Sequence, residues 1–482
     1  MAMEWFGNSL HKPAIQSIEI GCPRACPELV EGFASFLWTL TWAAEGPVEK
    51  KRIIMTHREQ DQNRNFGIYP RAAAVAIALT ILFVLALAPA AQAQTFKVIH
   101  YFAGVPDGWS PLGRLSIDGG GHLYGATYIG GVEYAWFGVV FKMSPEGSGW
   151  IFSPLYSFTP ESDGGDPIAG VLFGPEGILY GTTSNGGSVF TLRPGATIPA
   201  AFRTPWTIDF LYDFPLQKDD PVGDVVFDSA GNIYGVTATG GSNGCFNHEG
   251  CGVVYELTPT GGGGWQKTQL YVFRGGADGQ YPMGVTFDAA GNLIGTSVNG
   301  GMYDGGVIFQ LTPSGGTWTE SVLYNFDPNG TGGAGPEAGL ISDASGNFYG
   351  STTATPSPTY SGTIFEFSPS NGGWTYTVLA QIPPKYVIGP SAPLTMDAAG
   401  NLYGTIGSRD TNLPGAVFKL TRGGSGWTFT SLHDFTGGSD GDAPASTVAI
   451  GANGKLYGTA TYGGTGDCDS GNGCGVVWEI TP

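Results

Sequence analysis

The sequence predicts an all-β fold: a seven-bladed β-propeller of four-stranded antiparallel blades, closed by the N-terminal strand pairing with the C-terminal blade. Three observations carry this reading. A Tyr-Gly or Ile-Gly pair ends a short apolar run seven times, at Tyr124, Tyr180, Tyr234, Ile294, Tyr349, Tyr403 and Tyr457. The steps are 56, 54, 60, 55, 54 and 54 residues, and a strand-rich unit of about 50 residues copied in tandem suits a propeller blade. Glycine makes up 80 of 482 residues beside 41% hydrophobic and 13% aromatic content, so it serves turns between many short strands rather than disorder. Finally, residues 95–102 align with the fourth strand of the unit, and residues 475–482 are its third. A closed ring uses that offset to hide a sheet edge; an open solenoid gains nothing from it.

The fourth unit shows the elements in order. Residues 282–287 are a short apolar run, the first strand. Asp288 to Asn292 form a turn in which the Asp accepts backbone N–H bonds and Gly291 supplies a positive φ. Residues 293–297 are the second strand, a loop through Asn299-Gly300-Gly301 follows, and residues 306–311 are the third. After a turn at 312–316, the fourth strand runs from Trp318 to Phe326 with partial alternation. The Asp turn returns at Asp228, Asp343 and Asp397, varies at Asp118, and is replaced by Gly174 and Gly451. Trp150, Trp206, Trp265, Trp318, Trp374 and Trp427 open the fourth strands, where large side chains pack between neighbouring sheets. Lys142, Thr191, Glu256, Gln310, Glu366, Lys419 and Glu479 share one third-strand position, and the mixed charge there reads as a solvated face.

Residues 94–482 are taken as the propeller, 55–93 as a signal peptide, and 1–54 as a disordered extension ahead of a true start at Met55. Arg58, Arg64 and Arg71 give a basic n-region, residues 72–88 an apolar run broken by Pro89, and Ala91-Gln92-Ala93 a cleavage box. A retained membrane anchor is the alternative, for which the run is slightly short. The expected location is extracellular or periplasmic, with no stable membrane insertion after cleavage. The first 94 residues balance 8 basic against 8 acidic side chains, so the whole net charge of −19 lies on residues 95–482. Such a chain has no electrostatic footprint for nucleic acid. Cys245 and Cys251, and Cys468 and Cys474, occupy the matching loop in units three and seven, each pair followed by Gly-Val-Val-aromatic-Glu. In an oxidising compartment these read as two local disulfides; zinc would want CxxC spacing or nearby histidines.

The pattern Asp-x-x-Gly-Asn-Leu-Tyr-Gly-Thr, then Gly-Gly, Gly-Val-Val-Phe-x-Leu-Thr-Pro, Gly-Gly-Trp and Leu-Tyr-x-Phe resembles the GloVer tandem repeat of secreted bacterial proteins. It is nearly whole at residues 397–404 and 252–259 and covers essentially all of 95–482. The resemblance implies a repeat scaffold and export, but no shared activity. The chain ends at Pro482 without a sorting tail, so free secretion is expected.

In a propeller of this strand order, fourth-to-first and second-to-third connections share one face, and the variable loops lie there. The second-to-third loops carry Tyr128, Tyr134, Trp136 and Tyr360; the fourth-to-first connections carry Trp109, Tyr281 and Tyr386, with Asp107, Asp163, Asp166, Asp220, Asp278 and Asp442. Aromatic platforms beside carboxylates suit a sugar polymer; alternatively the acids cap turns and the aromatics cover blade ends. Arg114 and Asp224 stand where other units have Gly170 or Gly339, on the innermost strand, and so point to the channel as an ion pair or as ligand contacts. His100 and His433 take the Tyr slot of Leu-Tyr-x-Phe and read as structural. No catalytic residue, metal site or cofactor is assigned, although calcium fits the acidic balance. The function expected is a monomeric secreted module binding an extracellular glycan or protein. A glycosidase or lyase with carboxylates near the channel, or an architectural envelope protein, are the alternatives.

Overall fold

Each repeat folds into one four-stranded antiparallel sheet, strands side by side in sequence order. The computed structural model describes residues 94–482 apart from 132–136, 160–163, 185–186, 196–205, 216–218, 242–243, 246–248, 355–360, 408–414, 425 and 469–470. The expectations for residues 1–54 and 55–93 lie outside the described residues. Blade 1 comprises Trp109–Ile117, Leu123–Ile129, Val139–Glu146 and Gly149–Ser157. Blade 4 comprises Gln280–Phe287, Leu293–Asn299, Val307–Ser314 and Thr317–Asn325, close to the strands expected from sequence.

Blade 7 is assembled from both ends of the propeller. Ala449–Ile450, Leu456–Ala460 and Val476–Thr481 supply its inner three strands, and Thr95–Tyr101 its outer one. Phe96 pairs with Ile480, Val98 with Trp478 and Tyr101 with Val476. The fold is thus a seven-bladed propeller, closed as the sequence predicts.

Burial explains the patterning. The second strand, such as Leu402–Ile406, is buried at every position because neighbouring blades cover both its faces. The outermost strand, such as Thr317–Asn325, alternates exposed and half-buried positions along its first half because only one face is covered. The core is divided among the gaps between blades. In each gap the Tyr or Ile of the repeated dipeptide packs into the apolar cluster of the next blade: Tyr124 against blade 2, Tyr234 against blade 4, Tyr457 against blade 1.

Every residue of Tyr-Gly-Thr has a task. The Tyr403 hydroxyl donates to Asp397 Oδ2 at 3.0 Å, tying the second strand to the turn before it. Asp397 also accepts the N–H groups of Ala399 and Asn401 and the Asn401 amide, and Gly400 takes φ +78°. Burial alone pushes the Asp397 carboxyl up, but these bonds outweigh it and hold it below the usual carboxylate range. The Gly leaves room for a third-strand ring directly opposite: a Cβ on Gly404 would lie 2.6 Å from Phe418 Cζ. The Thr405 hydroxyl is buried and donates to the Ser446 carbonyl, in the segment that leads into the inner strand of the next blade. Ser351 and Thr296 do the same toward Pro390 and Ala338.

The inner strands of blades 5, 6 and 7 are shorter than the repeat suggests, with two-residue ladders at Ile341–Ser342, Thr395–Met396 and Ala449–Ile450. In blade 6, Pro393 has no N–H to extend the ladder.

Candidate functional site

The inner strands of all seven blades enclose a central channel of about 560 Å³. They touch there through glycine: a Cβ on Gly113 would meet the Ala169 carbonyl carbon at 2.2 Å, and one on Gly284 the Gly339 Cα at 3.2 Å. Among the described residues, three ionisable side chains line the channel, Arg114, Asp224 and Glu337. The structure pairs the first two, with Arg114 Nη1 donating to Asp224 Oδ2 at 2.7 Å. Arg114 Nε is buried with no partner among the described residues. The Asp224 side chain is 23% exposed but ringed by protein. Burial pushes its carboxyl up, and the Arg114 charge and hydrogen bond work against that rise. Glu337 accepts from the Thr353 hydroxyl at 3.3 Å.

The loop-rich face is built differently. Its fourth-to-first connections are capped by carboxylates: Asp107, Asp278 and Asp440 accept the N–H groups of Ala103, Arg274 and Thr436, four residues earlier. The same carboxylates hold a ring from the preceding strand, His100, Tyr271 and His433 respectively. His100 stacks on Phe152 and His433 on Phe96, each from the following blade. Both histidines therefore fasten adjacent blades, the structural role read for them. Asp220 accepts from the Thr239 hydroxyl, Asp442 accepts the Ala443 N–H, and Asp163 lies outside the described residues. The disulfides Cys245–Cys251 and Cys468–Cys474 are both formed, bracing the corresponding loops of blades 3 and 7.

The aromatic residues proposed as platforms divide. Tyr128 is half-buried near Asp166; burial first, and then that charge, pushes its hydroxyl up. Tyr281 is half-buried at φ +58°, its N–H donating to the Cys251 carbonyl. Trp109 packs against the apolar cluster between blades 7 and 1. Tyr386 is fully buried, its hydroxyl donating to Asp434, so it belongs to the core rather than to a surface. Tyr134, Trp136 and Tyr360 lie outside the described residues. Among the described residues no three His, Cys, Asp or Glu side chains stand close enough to hold a metal.

Two features escaped sequence reasoning. Val105, Met302, Tyr303 and Val387, between 50% and 71% exposed, are four of the six large apolar side chains exposed among the described residues, and all four fall in connections on this face. The signal was present: Met302-Tyr303 sits between Gly301 and Asp304, a loop too short to fold its side chains back. The second feature corrects the reading of the third-strand polar position as a solvated face. Thr191 is 1% exposed and Glu479 8%. The Tyr234 hydroxyl donates to Glu256, and Lys142 and Lys419 lie over Tyr124 and Tyr403. The cross-strand tyrosine supplies a polar partner, so either charge is tolerated in a half-buried row.

Residues 202–382 match the family model of the Gloeobacter/Verrucomicrobia repeat. No curated protein matches the chain in sequence. Among solved structures it is similar to a candidate 6-phosphogluconolactonase from Bacteroides uniformis, at 17% identity over 70% of this chain and 89% of that one, with TM-score 0.45. A luciferin-regenerating enzyme aligns at 12% identity over 81% and 95% of the chains with TM-score 0.38. A mutant of AofleA from Arthrobotrys oligospora aligns at 13% over 70% and 89% with TM-score 0.38. Likenesses this distant carry nothing about activity.

Proposed function

We propose, for a chain whose residues 202–382 match the family model of the Gloeobacter/Verrucomicrobia repeat, that it is an exported binding module recognising an extracellular polysaccharide or protein through its loop-rich face. The observation that carries this is the gathering of Val105, Met302, Tyr303 and Val387 on that face. Exposed apolar side chains are costly to leave in water and mark contact surfaces when they collect on one side. The loops are held rather than slack: Gly300 N–H bonds Asp304, Met302 N–H bonds Asn325, and two disulfides brace blades 3 and 7. Preorganised loops lose less entropy on binding. The disulfides also suit an oxidising compartment, in keeping with the signal read at 55–93.

The channel favours binding over glycoside hydrolysis. A hydrolase needs two carboxylates facing one bond, one protonated and one ionised. Here the Asp224 charge is answered by Arg114, and Glu337 holds Thr353. The test is a pull-down on insoluble polysaccharides and on extracellular protein fractions, with a reducing-sugar assay alongside. Retention without product, weakened by Met302→Ser with Tyr303→Ser, is expected. Release of reducing ends would replace the reading with an enzymatic one.

A further inference from the structure

On the face opposite the variable loops, a groove of about 600 Å³ runs between blades 7 and 1, within the size range of small-molecule sites. We propose that it binds a neutral, hydroxyl-rich saccharide. This site is separate from the loop-rich face and does not rest on the reading above.

The groove breaks the sevenfold pattern at the closure seam. Tyr457, Glu479 and Lys97 form one cross-strand row in blade 7. The same row is Tyr234, Glu256 and Thr268 in blade 3, and Tyr349, Glu366 and Thr377 in blade 5. Only in blade 7 is its outer member a cation, and it stands on the strand that comes from the other end of the propeller. The turn in blade 7 also lacks the aspartate that holds tyrosine in blades 1, 3, 5 and 6, having Gly451 instead. Lys455 enters from that turn and donates to Glu479 Oε1 at 2.7 Å.

These substitutions set out donors and acceptors without excess charge. Glu479 is only 8% exposed, yet its carboxylate lines the groove with one oxygen engaged by Lys455. Lys97 Nζ donates to the Ser148 carbonyl at 3.2 Å and has no carboxylate partner among the described residues, so two of its three protons remain to be given. Asn453 also lines the groove; its Oδ1 accepts the Lys455 N–H at 3.0 Å, and its side chain bonds Tyr457, which fixes it as a polar wall. Lys97 and Lys455 balance Asp118 and Glu479, so the lining attracts neither ion strongly. Trp150 supplies the apolar wall, half-buried with its ring edge-on to Tyr457 at 5.7 Å. A ring that stacks on a sugar's C–H face, beside interleaved donors and acceptors, is the chemistry of polyol recognition. The comparable groove between blades 3 and 4 has Trp318 and Glu256 but no lysine.

The test is calorimetric titration of the exported chain with β-1,4-linked hexamers of glucose, xylose and mannose, and with hexagalacturonate. At least one neutral hexamer is expected to bind, and Lys97→Met to weaken it about tenfold, the loss of one good polar contact, with the thermal midpoint unchanged. Glu479→Gln is the second variant, expected to weaken it similarly. No binding of any neutral hexamer, equal binding by Lys97→Met, or tighter binding of hexagalacturonate would each overturn the proposal. So would loss of binding in Tyr303→Ser, which would move the sugar to the other face.

Discussion

Gly458 lies directly across the ladder from Trp478, so close that a Cβ added to it would stand 2.2 Å from Trp478 Cζ2. The same pairing joins Gly181 to Phe190 and Gly295 to Phe309. The glycine in the repeated dipeptide is thus a space requirement and not a turn. Gly458→Ala forces the fully buried Trp478 ring to shift, and overpacking of this kind costs about 1–3 kcal/mol. Gly454, at φ +77° with no atom within 4 Å of an added Cβ, is the control: Gly454→Ala meets only backbone strain, of about 1 kcal/mol. Urea unfolding of both variants checks the order. An equal loss in the two would remove the steric account.

The pairing of Val98 with Trp478 makes the ring's closure testable. Val98→Pro places a ring with no N–H in the middle of the closing strand and is expected to weaken its pairing with the last one. Here it also exposes the edge of Val476–Thr481. Limited proteolysis is expected to cut the variant first near residues 476–481, and size-exclusion chromatography to show association through the exposed edge. A variant as protease-resistant as the parent would mean that closure contributes little.

Arg114 and Asp224 join the inner strands of blades 1 and 3 across the channel wall. Removing one partner leaves a charge facing a confined space. Arg114→Gly or Asp224→Gly alone is expected to cost about 1–3 kcal/mol, below the range of fully buried pairs because both side chains are partly wet. The double variant is expected to cost less than the sum, and thermal unfolding of the four-member cycle gives the coupling. If the double variant still folds and loses ligand binding, the channel takes part in recognition.

The architecture was legible because it is repeated: seven copies of Tyr-Gly fix the blade count, and the displaced outer strand fixes the closure. What one copy contributes was harder to read. Tyr403 bonding Asp397 spans six residues, but Thr405 bonding Ser446 spans two blades and leaves no local trace. The candidate site was the least legible. Tyr386 and Met302 are both large apolar residues in loops, yet one is 0% and the other 71% exposed. That difference depends on whether Asp434, from the next blade's outer strand, reaches the loop. Lys97 carries no motif at all; its interest comes from standing beside Glu479, hundreds of residues later.

Glu320 gives the molecule a pH dependence in the neutral range. It sits on the outer strand of blade 4 with Oε1 buried and without a partner among the described residues. Burial, and then the Asp278 charge, push its carboxyl up to about 7, against the opposing pull of Arg274. A folded-state value above the unfolded one means the folded chain binds the extra proton. Stability is therefore highest at low pH on this account, falls as pH rises from about 4.5 to about 7, and is flat above. Glu320→Gln mimics the protonated form. It is expected to match the parent at pH 5 and to exceed it at pH 8 by about 1 kcal/mol, a figure reduced for the half-exposed position. Thermal unfolding of both proteins across that interval is the check. A constant offset at the two pH values would show that Glu320 does not titrate as its surroundings require.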